Sequence, residues 1–566
     1  MMKHNTPGLR TWVRSGEPWI WMNASAVAIS IAAVVGVLGL IAVRGFSHFW
    51  PADVALIHYT DTTGLRREVL GEVIETETLP VHQYLEATGK AASELEAGQT
   101  VVDRWLVKSG NRRTDGPDFR WIVEHDIHDV GYPEDVVVLE RMEWGNAYGY
   151  LRGVHEDGAA TSAGTDAWSD LQSRLDRVAE LREHLRSLER GELNSINYEL
   201  DRQRLERRRL ELNRNLDPSV RAETLAAIET AERGLREDYA RVEQELRARE
   251  AELHRDSIVL ALSNGTTETI SLAEVVKAWQ PNAMGPGAKV AHYFDALASF
   301  LTEDPREANT EGGIFPAIFG TVMMVLLMSV LVTPFGVIAA VYLREYAHQG
   351  PLVRLIRIAV NNLAGVPSIV YGVFGLGFFV YFLGGTLDEL FYPEALPSPT
   401  FGTPGLLWAS LTLALLTLPV VVVSTEEGLT RIPRSLREGS LALGATKAET
   451  LFKVILPVAS PSILTGVILA VARAAGEVAP LMLVGVVKLA PTLPVDGNFP
   501  YVHLERKFMH LGFHIYDVGF QSPNVEAARP LVYATALLLV LIIVVLNLTA
   551  IMLRSRLENR YRGVES

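Results

Sequence analysis

The chain has no cysteine among its 566 residues, which removes disulfide frameworks and thiolate chemistry from consideration. That absence suits an oxidising exterior as well as a cytosol, so it places no part of the molecule. A phosphate-cradling Gly-rich loop is missing too. The one Gly-Lys pair, Gly89-Lys90, has neither the Ser or Thr that should follow it nor the Gly five places before. ATP hydrolysis by this chain is therefore not expected, and no cofactor of its own is implied. The apolar run near the N-terminus is long and lacks a clear small-x-small cleavage site before the next charges. It is read as a retained anchor rather than a signal peptide.

The average composition, 48% hydrophobic with a formal net charge of −14, conceals a sharp division. Residues 45–311 are strongly charged, whereas 312–553 are dominated by apolar stretches. A membrane-crossing helix needs about 20 mainly apolar residues. Six stretches qualify: 19–43, 314–343, 358–385, 404–425, 455–487 and 530–553. The first has Trp19 and Trp21 at its start, where an aromatic belt would sit.

Basic residues cluster in alternate connections. They are Lys3, Arg10 and Arg14; Arg344, Arg354 and Arg357; Arg431, Arg434, Arg437, Lys447 and Lys453; and Arg554, Arg556, Arg560 and Arg562. The loop 386–403 instead carries Asp388, Glu389 and Glu394 with no Lys or Arg. By the positive-inside rule both termini face the cytoplasm and the block 45–311 lies outside. The expected division is a tail at 1–18, a first transmembrane helix at 19–44, an external insert at 45–311, a membrane core at 312–553 and a tail at 554–566. The expected fold class is a mainly α membrane protein with six transmembrane helices, plus an extracytoplasmic α+β insert.

Within the insert, 168–256 is rich in Arg and Glu, with Leu171, Leu175, Val178, Leu181, Leu185 and Leu188 stepping by three and four. Pro218 interrupts the pattern, so two long helices folding back as an antiparallel hairpin are expected. Strand-like runs lie around it at Val101–Lys108, Phe119–Glu124, Asp135–Arg141, Ala147–His155 and Ser257–Ser263. The last two flank the hairpin, which should project from a small β-rich domain. Glu124-His125-Asp126-x-His128-Asp129 has metal-like composition, yet adjacent residues in a strand alternate faces and rarely reach one ion. His503, His510 and His514, in the loop before the last span, carry the same composition, and no metal site is expected.

The fifth apolar stretch is the one with full charges inside it, Arg473 and Glu477. Ionisable groups in a membrane segment are costly and mark a functional site by default. Their spacing would put both on one helix face, close enough to pair. A guanidinium offers a rigid donor fork suited to an oxyanion. Gly476 and Pro480 would let the helix bend there. A salt bridge that merely fixes helix register is the plainer alternative.

Between the fourth and fifth stretches, 426–457 is a charged, Gly-punctuated loop. Glu438-Gly439-Ser440, then Gly444, then Leu456-Pro457, resembles the EAA coupling loop of ABC importer permeases, although the family pattern opens Glu-Ala-Ala. RAAGEVAPLMLVG at 473–485 resembles the RxxGExAPL segment of the PstA-type permease of the phosphate ABC importer. Asn362-Leu-Ala-Gly365-Val-Pro367-Ser-Ile-Val-Tyr371-Gly372 resembles that family's N-x-x-G-x-PSIxxG segment, and Gly313-Ile-Phe-Pro-Ala-Ile-Phe-Gly-Thr321 its entrance to the second span. The likeness covers 312–553 with the first span and leaves out 45–311.

The resemblance implies a type I importer permease fold and a role in phosphate import with no chemistry on this chain. It implies two ATP-binding cassette subunits, a second related permease, a periplasmic phosphate-binding protein, surrounding membrane lipid and no nucleic acid. ATP would be bound by the partner subunits, and the setting would be a bacterial inner membrane. Carried over by motif, Arg473, Glu477 and Arg437 would line the substrate path. Glu438, Gly439, Ser440, Gly444, Leu456 and Pro457 would form the ATPase dock. Other readings are a permease for sulfate, molybdate or phosphonate, a membrane-anchored sensor or scaffold, and an ion-driven carrier, which should show inverted repeats and midplane carboxylates.

Overall fold

The computed structural model describes residues 14–61, 63–88, 100–164, 166–213, 215–522 and 525–561. Lys3, Arg10, Gly89, Lys90 and Arg562, used in the charge and motif readings, lie outside them. Among the described residues six helices are long and apolar enough to cross a membrane: Glu17–Ser47, Phe315–Tyr346, Ser368–Phe391, Leu406–Arg431, Lys447–Ala474 and Ala528–Arg556.

The fourth of these is the central post, with 67% of its most apolar window buried. Leu413, Ala414 and Val421 on it share one core with Met324, Val325, Met328 and Val332 of the second span and Ala470, Val471 and Ala474 of the fifth. The first span is peripheral and meets the last, where Gly45 lies against the Tyr533 carbonyl and the Leu537 side chain.

Two boundaries differ most from the sequence reading. The third span begins at Ser368 rather than 358, because Gly365-Val366-Pro367 breaks the helical path. The residues ahead of that break form a separate amphipathic helix, Pro351–Leu363. The fifth span ends at Ala474 rather than 487, and a four-residue helix, Leu481–Val484, follows the break.

The insert is built from antiparallel strands in two sheets. The strands are β1 (Val54–Thr60), β2 (Arg66–Pro80), β3 (Val101–Lys108), β4 (Phe119–Val123), β5 (Ile127–Gly131), β6 (Val136–Arg141), β7 (Ala147–Glu156), β8 (Ala159–Ala163), β9 (Asp256–Ala261), β10 (Thr267–Ser271) and β11 (Val275–Trp279). One sheet has the order β4-β3-β2-β1-β5; the other runs β10-β9-β7-β6-β11, with β8 beside β7. The hairpin leaves after β8 and returns into β9. Its outgoing side is a stem helix, Asp166–Ser187, a π-helical turn, Leu188–Leu193, and a distal helix, Asn194–Leu212. The return helix is Pro218–Leu253, capped by the Asp217 carboxylate, which accepts from the Ser219 N–H.

All six stripe residues, Leu171, Leu175, Val178, Leu181, Leu185 and Leu188, are buried. Leu171, Leu175 and Val178 enter the core of the second sheet with Ile258, Leu260 and Ile270. The hairpin root is pinned by fully buried Asp256, which pairs with Arg174 at 2.8 Å and also with Arg177.

The insert is fastened to the second span through the segment before it. Arg112 pairs with Glu307 at 2.7 Å, the Gly145 N–H donates to the same carboxylate at 3.0 Å, and Arg190 meets Asp304 at 2.6 Å. Arg306 adds an ion pair to Glu140.

Candidate functional site

The helix carrying Arg473 ends one residue later. Ala475 and Gly476 turn back on it, with Gly476 N–H to Arg473 carbonyl at 3.4 Å and Glu477 N–H to Ala474 carbonyl at 3.2 Å. Glu477 therefore sits past the helix end, not on the continuous helix face that the spacing suggested. It still reaches its partner: Arg473 Nε lies 3.8 Å from Glu477 Oε1, with side chains 34% and 22% exposed. That separation is a charge contact, too long for a hydrogen bond.

The break is held from the side by the start of the third span. A Cβ on Gly372 would lie 2.7 Å from Pro480 Cα, so only glycine lets these backbones touch. The Tyr371 hydroxyl donates to the Leu363 carbonyl at 2.6 Å, closing the turn before that span. Two of the sequence motifs, 362–372 and 473–485, are thus one packed unit in space. The third motif packs elsewhere: Thr321 Oγ1 accepts from the Leu511 N–H at 2.9 Å and donates to the Ala317 carbonyl at 2.7 Å.

The elbow between the fourth and fifth spans is a short helix, Arg434–Ala442, a turn, and a second short helix, Lys447–Thr450. Gly444 makes the turn at φ 89°, the left-handed region that costs other residues most. Thr446 and Glu449 form a reciprocal capping box. The Ser440 and Thr450 hydroxyls lie 2.9 Å apart and tie the two helices together. Glu438 and Gly439 are exposed, and Leu443 at 91% exposure and Phe452 at 68% extend an uncovered apolar surface. Leu456 packs with Val341, Leu429, Ile432, Leu451 and Ile455, and Pro457 lies in the first turn of the α-helical segment Leu456–Ala474 of the fifth span.

Arg437 is bonded within the protein. Its guanidinium donates to the Ile432 carbonyl at 3.0 Å, the Leu429 carbonyl at 2.7 Å and Glu345 at 2.9 Å. Both terminal nitrogens thus tie the ends of the fourth and second spans together, while the buried Nε has no hydrogen-bond partner among the described residues. Lys447 reinforces the same corner, donating to the Glu345 carbonyl at 2.6 Å and lying 4.5 Å over the Tyr346 ring. Arg473 is the contrast: among the described residues no hydrogen bond to a protein acceptor occupies its guanidinium.

A cleft of about 600 Å³ near this corner, lined by Arg344, Arg357, Asn361, Glu426, Glu427 and Arg431, was not foreseen from the sequence. Arg357 and Glu426 pair in it at 3.2 Å. Its lining comes from helices far apart in the chain, so no local pattern announces it.

The histidines of the loop before the last span are engaged in packing. His503 lies between Asp496 at 3.0 Å and Glu505 at 3.1 Å. His510 and His514 are buried, and burial pushes each imidazole down to about 4. Near the other histidine cluster, His128 meets the Thr60 hydroxyl at 2.6 Å. Among the described residues no three His, Cys, Asp or Glu side chains group to hold a metal ion.

Residues 332–563 match the family model for the binding-protein-dependent transport system inner membrane component. The phosphate transport system permease protein PstA of Mycobacterium leprae is 39% identical over 188 residues, 33% of this chain and 56% of its own length. PstA 1 of Mycobacterium tuberculosis is 35% identical over 253 residues, 44% of this chain and 72% of its own. The chain thus spans little more than half of the first relative and nearly three quarters of the second. Among solved structures, the MetNI methionine ABC transporter in an inward-facing conformation is 19% identical with a TM-score of 0.32, over 43% of this chain and 94% of that one.

Proposed function

The chain belongs to the family of binding-protein-dependent transport system inner membrane components, a multi-pass permease of the ABC importer class, and from that premise we propose that it is the phosphate-translocating subunit of its importer. Its relatives' names supply the solute, and the chemistry of one residue supports it. Arg473 carries a guanidinium that makes no hydrogen bond among the described residues, half-buried at a helix break, with Glu477 held loosely at 3.8 Å. A phosphate oxyanion fits that donor fork bidentately. Glu477 balances the cation while the path is empty and gives way when the anion arrives.

In this reading the elbow from Glu438 to Gly444, with exposed Leu443, meets one of two ATPase subunits that bind the ATP. Ser440 and Gly439 shape that dock, and Leu456 and Pro457 carry its movement into the fifth span. Arg437 braces it against the second span through Glu345. A second, related permease completes the path, and a periplasmic phosphate-binding protein delivers the anion. The cationic corner of Arg344, Arg357 and Arg431 fits the cytoplasmic side of a bacterial inner membrane, which sets the insert 45–311 in the periplasm.

The test is uptake of labelled phosphate into vesicles holding the reconstituted complex. Arg473→Gln should reduce uptake at least a hundredfold while the complex still assembles. Uptake within twofold of the parent would remove Arg473 from the path. No uptake of labelled phosphate, with uptake of labelled sulfate or molybdate instead, would assign the importer to another oxyanion.

A further inference from the structure

We propose that the distal helix Asn194–Leu212 is a strap that holds two loops of the permease core at one separation and must lift during the transport cycle. This rests on the permease reading above but concerns a region that the family model does not cover. The strap differs in kind from the stem that carries it. The stem is locked: Leu171, Leu175 and Val178 are in the sheet core, and Arg182 donates to the Leu272, Ala273 and Val275 carbonyls at 3.2, 2.8 and 2.7 Å. Beyond it the chain passes through the π-helical turn Leu188–Leu193, which contains Gly191, and π-helical turns are natural points of bending. The distal helix then buries none of its own residues.

It nevertheless touches the permease at two places. Arg209 forms an ion pair with Glu394, whose carboxylate is only 4% exposed, in the loop between the third and fourth spans. The Tyr198 hydroxyl donates to the Phe499 carbonyl, and its ring meets His503 edge-on at 6.1 Å, in the loop between the fifth and sixth spans. These anchors are eleven residues apart on one helix, a rise of about 16 Å. A stiff rod bridges two loops that belong to different parts of the core. If their separation changes, one contact must break. Among the described residues no hydrophobic core cluster joins the distal helix to the permease, and the strap is held by an ion pair, a hydrogen bond and a ring contact that a moving loop can break and re-form. An element that contacts one arrangement of the loops and not another shifts the balance toward the first.

The chain's lack of cysteine makes the test clean. Arg209→Cys and Glu394→Cys, introduced together in the full complex, supply its permease with one pair of thiols to be bridged by a reducible bifunctional methanethiosulfonate. Bridging should lower labelled phosphate uptake at least tenfold, and dithiothreitol should restore it. Bridged complex that keeps more than half of its uptake would overturn the strap. A second arm loosens the contacts instead. Tyr198→Phe with Glu394→Gln should raise ATP hydrolysis by the complex several-fold when no delivery protein is present, and an unchanged rate would overturn the proposal as well. Because ATP hydrolysis does not depend on knowing the anion, that arm separates failure of the strap from failure of the phosphate reading, which would show as absent uptake before any bridging.

Discussion

Arg473 and Arg437 are the same side chain put to opposite uses, and their acceptors decide the difference. Arg437 bonds two backbone carbonyls and Glu345, whereas Arg473 has a carboxylate at 3.8 Å and, among the described residues, no hydrogen bond. Arg437→Gln should therefore cost about 1–3 kcal/mol at the corner it braces, lower uptake several-fold and leave ATPase capture intact. Glu345→Gln should do the same, and the double variant should be little worse than either; additive losses would break the link. The spacing of Arg473 and Glu477 was legible in the sequence. The brace was not, because Glu345 lies 92 positions from Arg437 and becomes its neighbour only when the spans pack. Burial sets a second expectation. His510 and His514 have values near 4 against an ordinary 6.5, so each is neutral in the folded protein and charges on unfolding. Their contribution is fully present above pH 6.5 and is lost as pH falls toward 4, on the order of 3 kcal/mol each by that point. The thermal midpoint in detergent should drop across that window, and His510→Gln should flatten the drop.

At the scale of elements, the elbow hangs on one dihedral. Gly444 stands at φ 89° with open space around its Cβ position, so a larger residue meets backbone strain rather than a clash. Gly444→Leu should cost about 1–2 kcal/mol locally and turn Leu443 away from its partner, and capture of the ATPase subunit measures this; undiminished capture would reject the dock. The hairpin stem was readable because its apolar stripe follows the helical period through all six buried positions. Strands such as β1 and β2 were not anticipated. Arg66–Pro80 carries few apolar residues, and its pairing with β1 and β3 comes from tertiary partners rather than its own pattern. The ends of the third and fifth spans were misjudged for a related reason. Hydropathy runs on through Gly365-Val366-Pro367 and through Gly476 to Pro480, but the backbone does not stay helical there.

For the whole molecule, composition alone separated the charged block from the apolar core, and the structure adds how firmly the two are joined. Removing 168–256 would strip Leu171, Leu175 and Val178 from the sheet core, together with buried Asp256. At about 1.5–3 kcal/mol for each buried apolar side chain, that deletion should unfold the insert and leave it open to protease. Excising 194–236 with a short linker should spare the sheets, which limited proteolysis would verify. The placement of the insert has its own logic. It grows between the peripheral first helix, whose Gly45 rests on the last span, and the entrance to the second. A graft of this size at that border crowds none of the helices wrapped around the central post, and it meets the conduit beneath through its anchors at Glu394 and Phe499 in the outer loops.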